Sequence, residues 1–122
     1  MFEEFVLAAS TDTLETAARA DAADVVEFRM DLASDPLDQL AAYEGVLPLI
    51  VTNRAAWEGG EADGRDRYDA LSAAVDHPSV VAVDIELAAL AGTLPADGSI
   101  DAATAQSRAS ALRSQAREAG VE

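Results

Sequence analysis

Glu27, Arg29 and Asp31 stand at alternate positions inside the apolar run VVEFRMDLA, residues 25–33, and Arg54 closes a second run, LPLIVTNR, residues 47–54. Side chains alternate between faces along an extended strand. The three charges of the first run therefore share one face, and Val26, Phe28 and Met30 share the other. In the second run Arg54 falls on the face of Ile50 and Thr52. A third run, VVAVDIEL at 80–87, sets Val81, Val83 and Ile85 against Ala82, Asp84 and Glu86. Charges arrayed this way have two uses. Glu27 and Arg29, one repeat apart, can partner each other and keep further valences for a ligand, or the whole row can be an ion ladder with no ligand. Spacing alone leaves both open.

The elements that would position these residues alternate along the chain. Residues 5–9, 25–32, 47–54 and 80–87 read as strands. Between them lie four helical stretches. One covers 14–22, with Thr11 or Thr13 as cap and Glu15 in its first turn. A second runs over 36–43 from Ser34 or Asp35, with Pro36 at the tolerated first position and Gly45 as its end. The third covers 65–75 before Pro78, and the fourth 101–119, closed by Gly120. The glycines at 59, 60 and 64 mark a loop, and a second loop, GTLPADGS, precedes the last helix. Val121 and Glu122 read as the opening of a fifth strand.

Strands alternating with helices predict a parallel sheet with right-handed crossovers. An open doubly wound sheet is covered by helices on both faces and should be apolar on both. A (β/α)₈ barrel has one helix-covered face and one lumen face, with functional groups at the C-terminal ends of its strands. Charges repeated on one face favour the barrel, and no G-x-G-x-x-G or G-x-x-x-x-G-K-[ST] follows any strand. A full barrel takes about 250 residues. The 122 residues here hold four βα units and the start of a fifth strand, so the expectation is one partial domain over 1–122, about half of a barrel.

Composition narrows the function classes. The chain is 50% hydrophobic, enough for a real core, and holds no cysteine, which removes disulfides and thiolate metal sites. It carries 23 acidic residues against 8 basic ones, all arginine, for a net charge of −15. Phosphate would be repelled, so nucleic acid and anionic membrane are poor partners, and no apolar run is long enough to span a bilayer. With no export signal visible, the expectation is a cytoplasmic protein. Scattered acids with no lysine suit molar salt, where the Debye length is about 3 Å and self-repulsion is screened. Halophilic origin is the expectation.

The quoted stretches, in order, resemble one family. E-F-R-M-D at 27–31, P-L-I-V-T-N-R at 48–54, E-G-G-E at 58–61 and V-D-I-E-L at 83–87 are similar to type I 3-dehydroquinate dehydratase, over essentially the whole chain. The resemblance implies a (β/α)₈ barrel lyase of the shikimate pathway that dehydrates 3-dehydroquinate to 3-dehydroshikimate, with no metal and no cofactor. It implies a lysine that forms a Schiff base with the substrate ketone and a histidine that moves the proton. It also implies that 27–29 is a substrate-binding segment, Glu27 and Arg29 meeting ring hydroxyls while Phe28 between them faces the helices. By the same resemblance Arg54 is a substrate-contacting arginine, Glu58 orients the histidine, and Ser10 is a further substrate contact. A polyhydroxylated acid does need several fixed donors and acceptors, and charges inside a barrel are costly without partners.

The chain departs from the family at its reacting groups. It has no lysine, and its single histidine, His77, sits before Pro78 as a surface residue. The family's histidine and lysine are expected on strands five and six, beyond residue 122, and arginine could not replace the amine because guanidinium stays protonated. The expectation is therefore no turnover by this chain alone. The alternative is a half-barrel assembly module that pairs with a second copy or with a separate C-terminal half, since open strand edges invite association. Asp31 is expected to be structural, and Asp84 and Glu86 to partner Arg29 and Arg54. Arg108, Arg113 and Arg117 are expected to be a solvated face, and Trp57 either shields the site or packs under its loop.

Overall fold

The computed structural model describes residues 4–19, 22–62, 64–93 and 100–122; the side chains of 17–19, 58 and 65 lie outside that description. Four strands, β1 (Ala8–Thr11), β2 (Val25–Arg29), β3 (Leu49–Thr52) and β4 (Val80–Val83), pair in parallel in the order β1-β2-β3-β4. Sequence order equals spatial order, with helical segments between strands: this is a partial (β/α)₈ barrel. The helices are α1 (Pro36–Ala41), α2 (Gly64–Ala74), α3 (Leu87–Ala91) and α4 (Ala102–Glu118), and a 3₁₀ helix over Leu14–Arg19 stands between β1 and β2. Among the described residues no helix is long and apolar enough to cross a membrane.

The core lies on one side of the sheet. Val26, Phe28 and Met30 from β2 and its following turn meet Leu49 and Val51 of β3, Leu71 of α2 and Leu40 of α1. α4 adds Ala105, Ala109, Leu112 and Ala116, a stripe at helical spacing. Phe28, Leu49, Val51 and Leu71 are fully buried. Each such side chain contributes about 1.5–3 kcal/mol through removal from water.

Strand ends differ from the sequence expectation in an instructive direction. β2 stops at Arg29, where a 3₁₀ turn over Met30–Leu32 takes over, closed by the Ala33 N–H donating to the Met30 carbonyl at 3.2 Å. β4 stops at Val83, and Glu86 instead begins α3, a helix hidden from sequence reading by the unbroken run V-D-I-E-L. β1 starts three residues late and is half open to solvent. Phe5, ahead of the strand, is 93% exposed, and the strand itself has a neighbour on one side only. The segment at 14–19 is 3₁₀ rather than α, and residues 20 and 21, its expected end, lie outside the described residues. Its first N–H, on Leu14, is satisfied by Gln39 Oε1 of α1 at 3.0 Å, while Thr11 receives the N–H of Thr13. α4 has both expected ends. Asp101 accepts the N–H of Thr104 at 2.8 Å, and Gly120, at φ 76°, closes the helix with Val121 N–H donating to Ala116.

Candidate active site

Register brings the polar residues of three strands together. Ser10 is level with Glu27, and Arg29 is level with Thr52. Ser10 Oγ donates to Glu27 Oε1 and Thr52 Oγ1 donates to Glu27 Oε2, both at 2.9 Å. Each neighbouring strand thus pins one oxygen of the same carboxylate. Every oxygen keeps a second lone pair that can accept from a ligand hydroxyl. Thr52, fully buried, is a member of this group that the sequence reading placed on the right face without a role.

Glu27 and Arg29 do not partner each other. Arg29 turns toward the C-terminal end of the sheet and makes a two-pronged contact with Asp31, Nε to Oδ1 at 3.0 Å and Nη2 to Oδ2 at 2.7 Å. The contact forms across the 3₁₀ turn that follows β2, with Asp31 at the turn's second position. Asp31 Oδ2 also accepts the N–H of Glu61 at 3.2 Å, and the Arg54 backbone bonds the same carboxylate. Burial alone would push the Asp31 carboxyl up. The Arg29 guanidinium and the two backbone N–H groups outweigh it and hold the carboxyl below the usual carboxylate range. Hydrogen bonding to Asp31 likewise raises the Arg29 guanidinium, against the opposite effect of burial. One carboxylate therefore ties the end of β2 to the end of β3 and to the loop after it.

That loop folds back on β3. Ala62 N–H donates to Arg54 O at 3.0 Å, Ala56 N–H to Ala62 O at 3.1 Å, and Gly60 N–H to Ala55 O at 2.9 Å. A Cβ at Gly60 would lie 2.1 Å from the Arg54 carbonyl, so only glycine fits there, while Gly59 takes φ 83°. Trp57 packs against the hydrophobic core rather than standing over the polar face. The Glu58 side chain lies outside the described residues; its backbone ends the 3₁₀ turn Ala56–Glu58. Arg54 lies two residues beyond β3, and its guanidinium sits 3.6 Å from Asp84, both about one-third exposed or more.

One sequence expectation holds and another changes. Phe28, grouped with Glu27 and Arg29 as a substrate-binding segment, has its ring fully buried in the core on the helix side, as pleat alternation requires, so its side chain cannot touch a ligand on the open face. Glu86 does not serve the lumen arginines. It pairs with Arg67 of α2 at 2.7 Å behind the sheet, a buried pair that also touches the Asn53 backbone. Asp84 does pair with Arg54 as expected. His77 sits at the N-terminal end of β4, opposite the site, where Nδ1 accepts the N–H of Ser79 at 3.1 Å. Among the described residues no three His, Cys, Asp or Glu side chains converge as a metal site requires. What the site can do is hold: two arginines and one carboxylate, fixed by strand register, face the open side of the sheet near strand ends.

The chain's kinship agrees with this layout. Residues 6–114 match the family model for type I 3-dehydroquinase. A 3-dehydroquinate dehydratase of Haloarcula marismortui is 60% identical over 94 residues, covering 75% of this chain and 41% of that protein. One from Halobacterium salinarum is 55% identical over 108 residues, covering 87% of this chain and 48% of the other, and one from Haloquadratum walsbyi is 50% identical over 100 residues. The chain spans less than half the length of these curated relatives. It belongs to the type I 3-dehydroquinase family.

Proposed function

We propose that residues 1–122 form the N-terminal half of a 3-dehydroquinate dehydratase barrel and supply the grip on the substrate, not its reacting groups. The observation that carries this is the Glu27 carboxylate held between the Ser10 and Thr52 hydroxyls beside Arg29, with Arg54 nearby. The two hydroxyls take one lone pair on each Glu27 oxygen and leave the others to accept from a ligand, suited to ring hydroxyls. Arg29 and Arg54 keep donors beyond those spent on Asp31 and Asp84, suited to further oxygens of a polyhydroxylated acid. Ser10 acts through Glu27, and Glu58 orients the proton-moving histidine.

The chemistry needs an amine to form the Schiff base and a base to take the proton. This chain has no lysine, and His77 is committed to a turn at the far end of β4. Alone it should turn over no 3-dehydroquinate and leave no borohydride-trapped adduct. Mixed with the part of the Haloarcula marismortui relative that follows its match to this chain, it should generate the conjugated enone of the dehydrated product. Glu27→Ala should remove most of that activity. Turnover by the chain alone would overturn the division of labour, and full activity with Glu27→Ala would overturn the site. The remaining expectations, a cytoplasmic home and a salt-rich one, are supported by the three halophile relatives and the net charge of −15.

A further inference from the structure

The open face of the sheet carries one carboxylate that the grip on a ligand does not itself use. The Asp31 side chain is shut off from solvent, while the arginine it holds keeps an edge in water. Taking an ionised carboxylate out of water is costly unless its lone pairs are filled. Arg29 fills them with Nε and Nη2, Glu61 with its backbone N–H, and Arg54 with its backbone. Two of these three residues are the arginines of the candidate site. The third lies in the loop that carries Glu58.

Each contact fixes a direction. A guanidinium is planar, so holding one edge through Nε and Nη2 sets where its unspent donors on Nη1 point. Arg29 is level with Thr52, so Asp31 and Arg54, each two residues on, leave the ends of β2 and β3 side by side. Arg54 is gripped by its backbone on two sides. One side rests on Asp31; on the other the Arg54 carbonyl accepts the Ala62 N–H at 3.0 Å, against Gly60, where a Cβ would collide. Its guanidinium has only the loose 3.6 Å contact with Asp84. The root of that side chain is therefore set by Asp31 and the loop, not by what its tip touches.

We propose that Asp31 is a positioning residue: it sets the span between the Arg29 guanidinium and Arg54 and seats the loop of Glu58, so that a ligand bridging the two arginines meets them at one separation. That the ligand is 3-dehydroquinate rests on the proposed function; the anchoring is a property of this chain by itself. A carboxylate serving the fold alone has no need to hold both arginines, and the same end of the sheet is already fastened from behind by Arg67 and Glu86.

The anchoring is read in the chain alone, in molar KCl. Asp31→Asn should speed hydrogen exchange at the Arg29 Nε–H and at the Arg54 and Glu61 backbone amides about tenfold or more relative to the Leu49 amide of β3, because an amide offers one acceptor oxygen where a carboxylate offers two. The positioning is read in the enzyme reassembled with the C-terminal part of the Haloarcula marismortui relative. There Asp31→Asn should raise KM for 3-dehydroquinate about tenfold and lower kcat less. Leu112→Ala, a truncation in the core stripe of α4, should lower the melting temperature at least as much and leave KM within about twofold, since lost folded protein lowers apparent kcat without moving KM. Unchanged exchange in Asp31→Asn overturns the anchoring. Faster exchange with an unmoved KM overturns the positioning role and leaves Asp31 a fastening of the fold. A wild-type mixture without turnover overturns the proposed function, and with it the ligand, while the exchange rates still decide the anchoring.

Discussion

Two arginine–carboxylate contacts, each 2.7 Å long, brace the C-terminal end of the sheet from opposite sides. Behind the sheet, Arg67 and Glu86 are sealed, with side chains 2% and 3% exposed. Arg67 also donates to the Asn53 carbonyl, and its own carbonyl accepts from Asn53 Nδ2, so the end of β3, helix α2 and the start of α3 are fastened at one point. On the open side, Asp31 is as deeply buried, but its partner Arg29 keeps 17% of its side chain in solvent. The sealed pair is closed to solvent, with Arg67 Nη1 shared between Glu86 and the Asn53 carbonyl. The open pair has one member committed to the scaffold and one member with donors left over. Equal bond lengths therefore say little about role; solvent access separates scaffold from site.

That contrast can be broken in order of expected effect. Glu86→Ala strands a buried guanidinium and should cost about 3–5 kcal/mol of stability, read by chemical denaturation in molar KCl. Asp31→Asn should cost less, about 1–3 kcal/mol, with a signature in its dependence on pH. The folded Asp31 carboxyl titrates below its ordinary value of 3.8, so its stabilisation is present above that value and fades as pH falls through and below it. Denaturation midpoints of wild type and variant should accordingly converge in that acid window. Thr52→Val removes one hydroxyl donor from Glu27 at nearly constant shape and should cost about 1 kcal/mol. Arg54→Ala breaks a half-exposed 3.6 Å contact and should change stability by less than about 0.5 kcal/mol, fading further as salt shortens the Debye length from about 10 Å at 0.1 M to about 3 Å at 1 M. The fold as a whole should move the other way, gaining stability with salt as its net charge of −15 is screened.

Much of this was readable from residue order. Period-two alternation assigned Glu27, Arg29 and Thr52 to one face and Val26 and Phe28 to the other, because the pleat leaves no choice once the strand exists. Gly120 marked the end of α4 because capping is local chemistry. Three features were not legible. Arg29 and Asp31 meet across the 3₁₀ turn that ends β2, and nothing in R-M-D-L distinguishes a turn from one more strand repeat. Glu86 and Arg67 meet across 19 positions, a contact decided by how α2 packs behind β3. Gln39 caps the 3₁₀ helix at Leu14 from another element altogether. In the last two cases the deciding partner lies outside the local window, so pattern reading found the strands and missed the fastenings.

The division between scaffold and site is tested most directly at Arg54, whose loss should leave the fold almost untouched. In the enzyme reassembled with the relative's C-terminal part, Arg54→Ala should lower kcat/KM for 3-dehydroquinate about 100-fold, the value of a lost charge-assisted contact of about 2.7 kcal/mol, with an unchanged melting temperature. A kcat/KM within about twofold of wild type would contradict it and return Arg54 to the role of a surface ion pair.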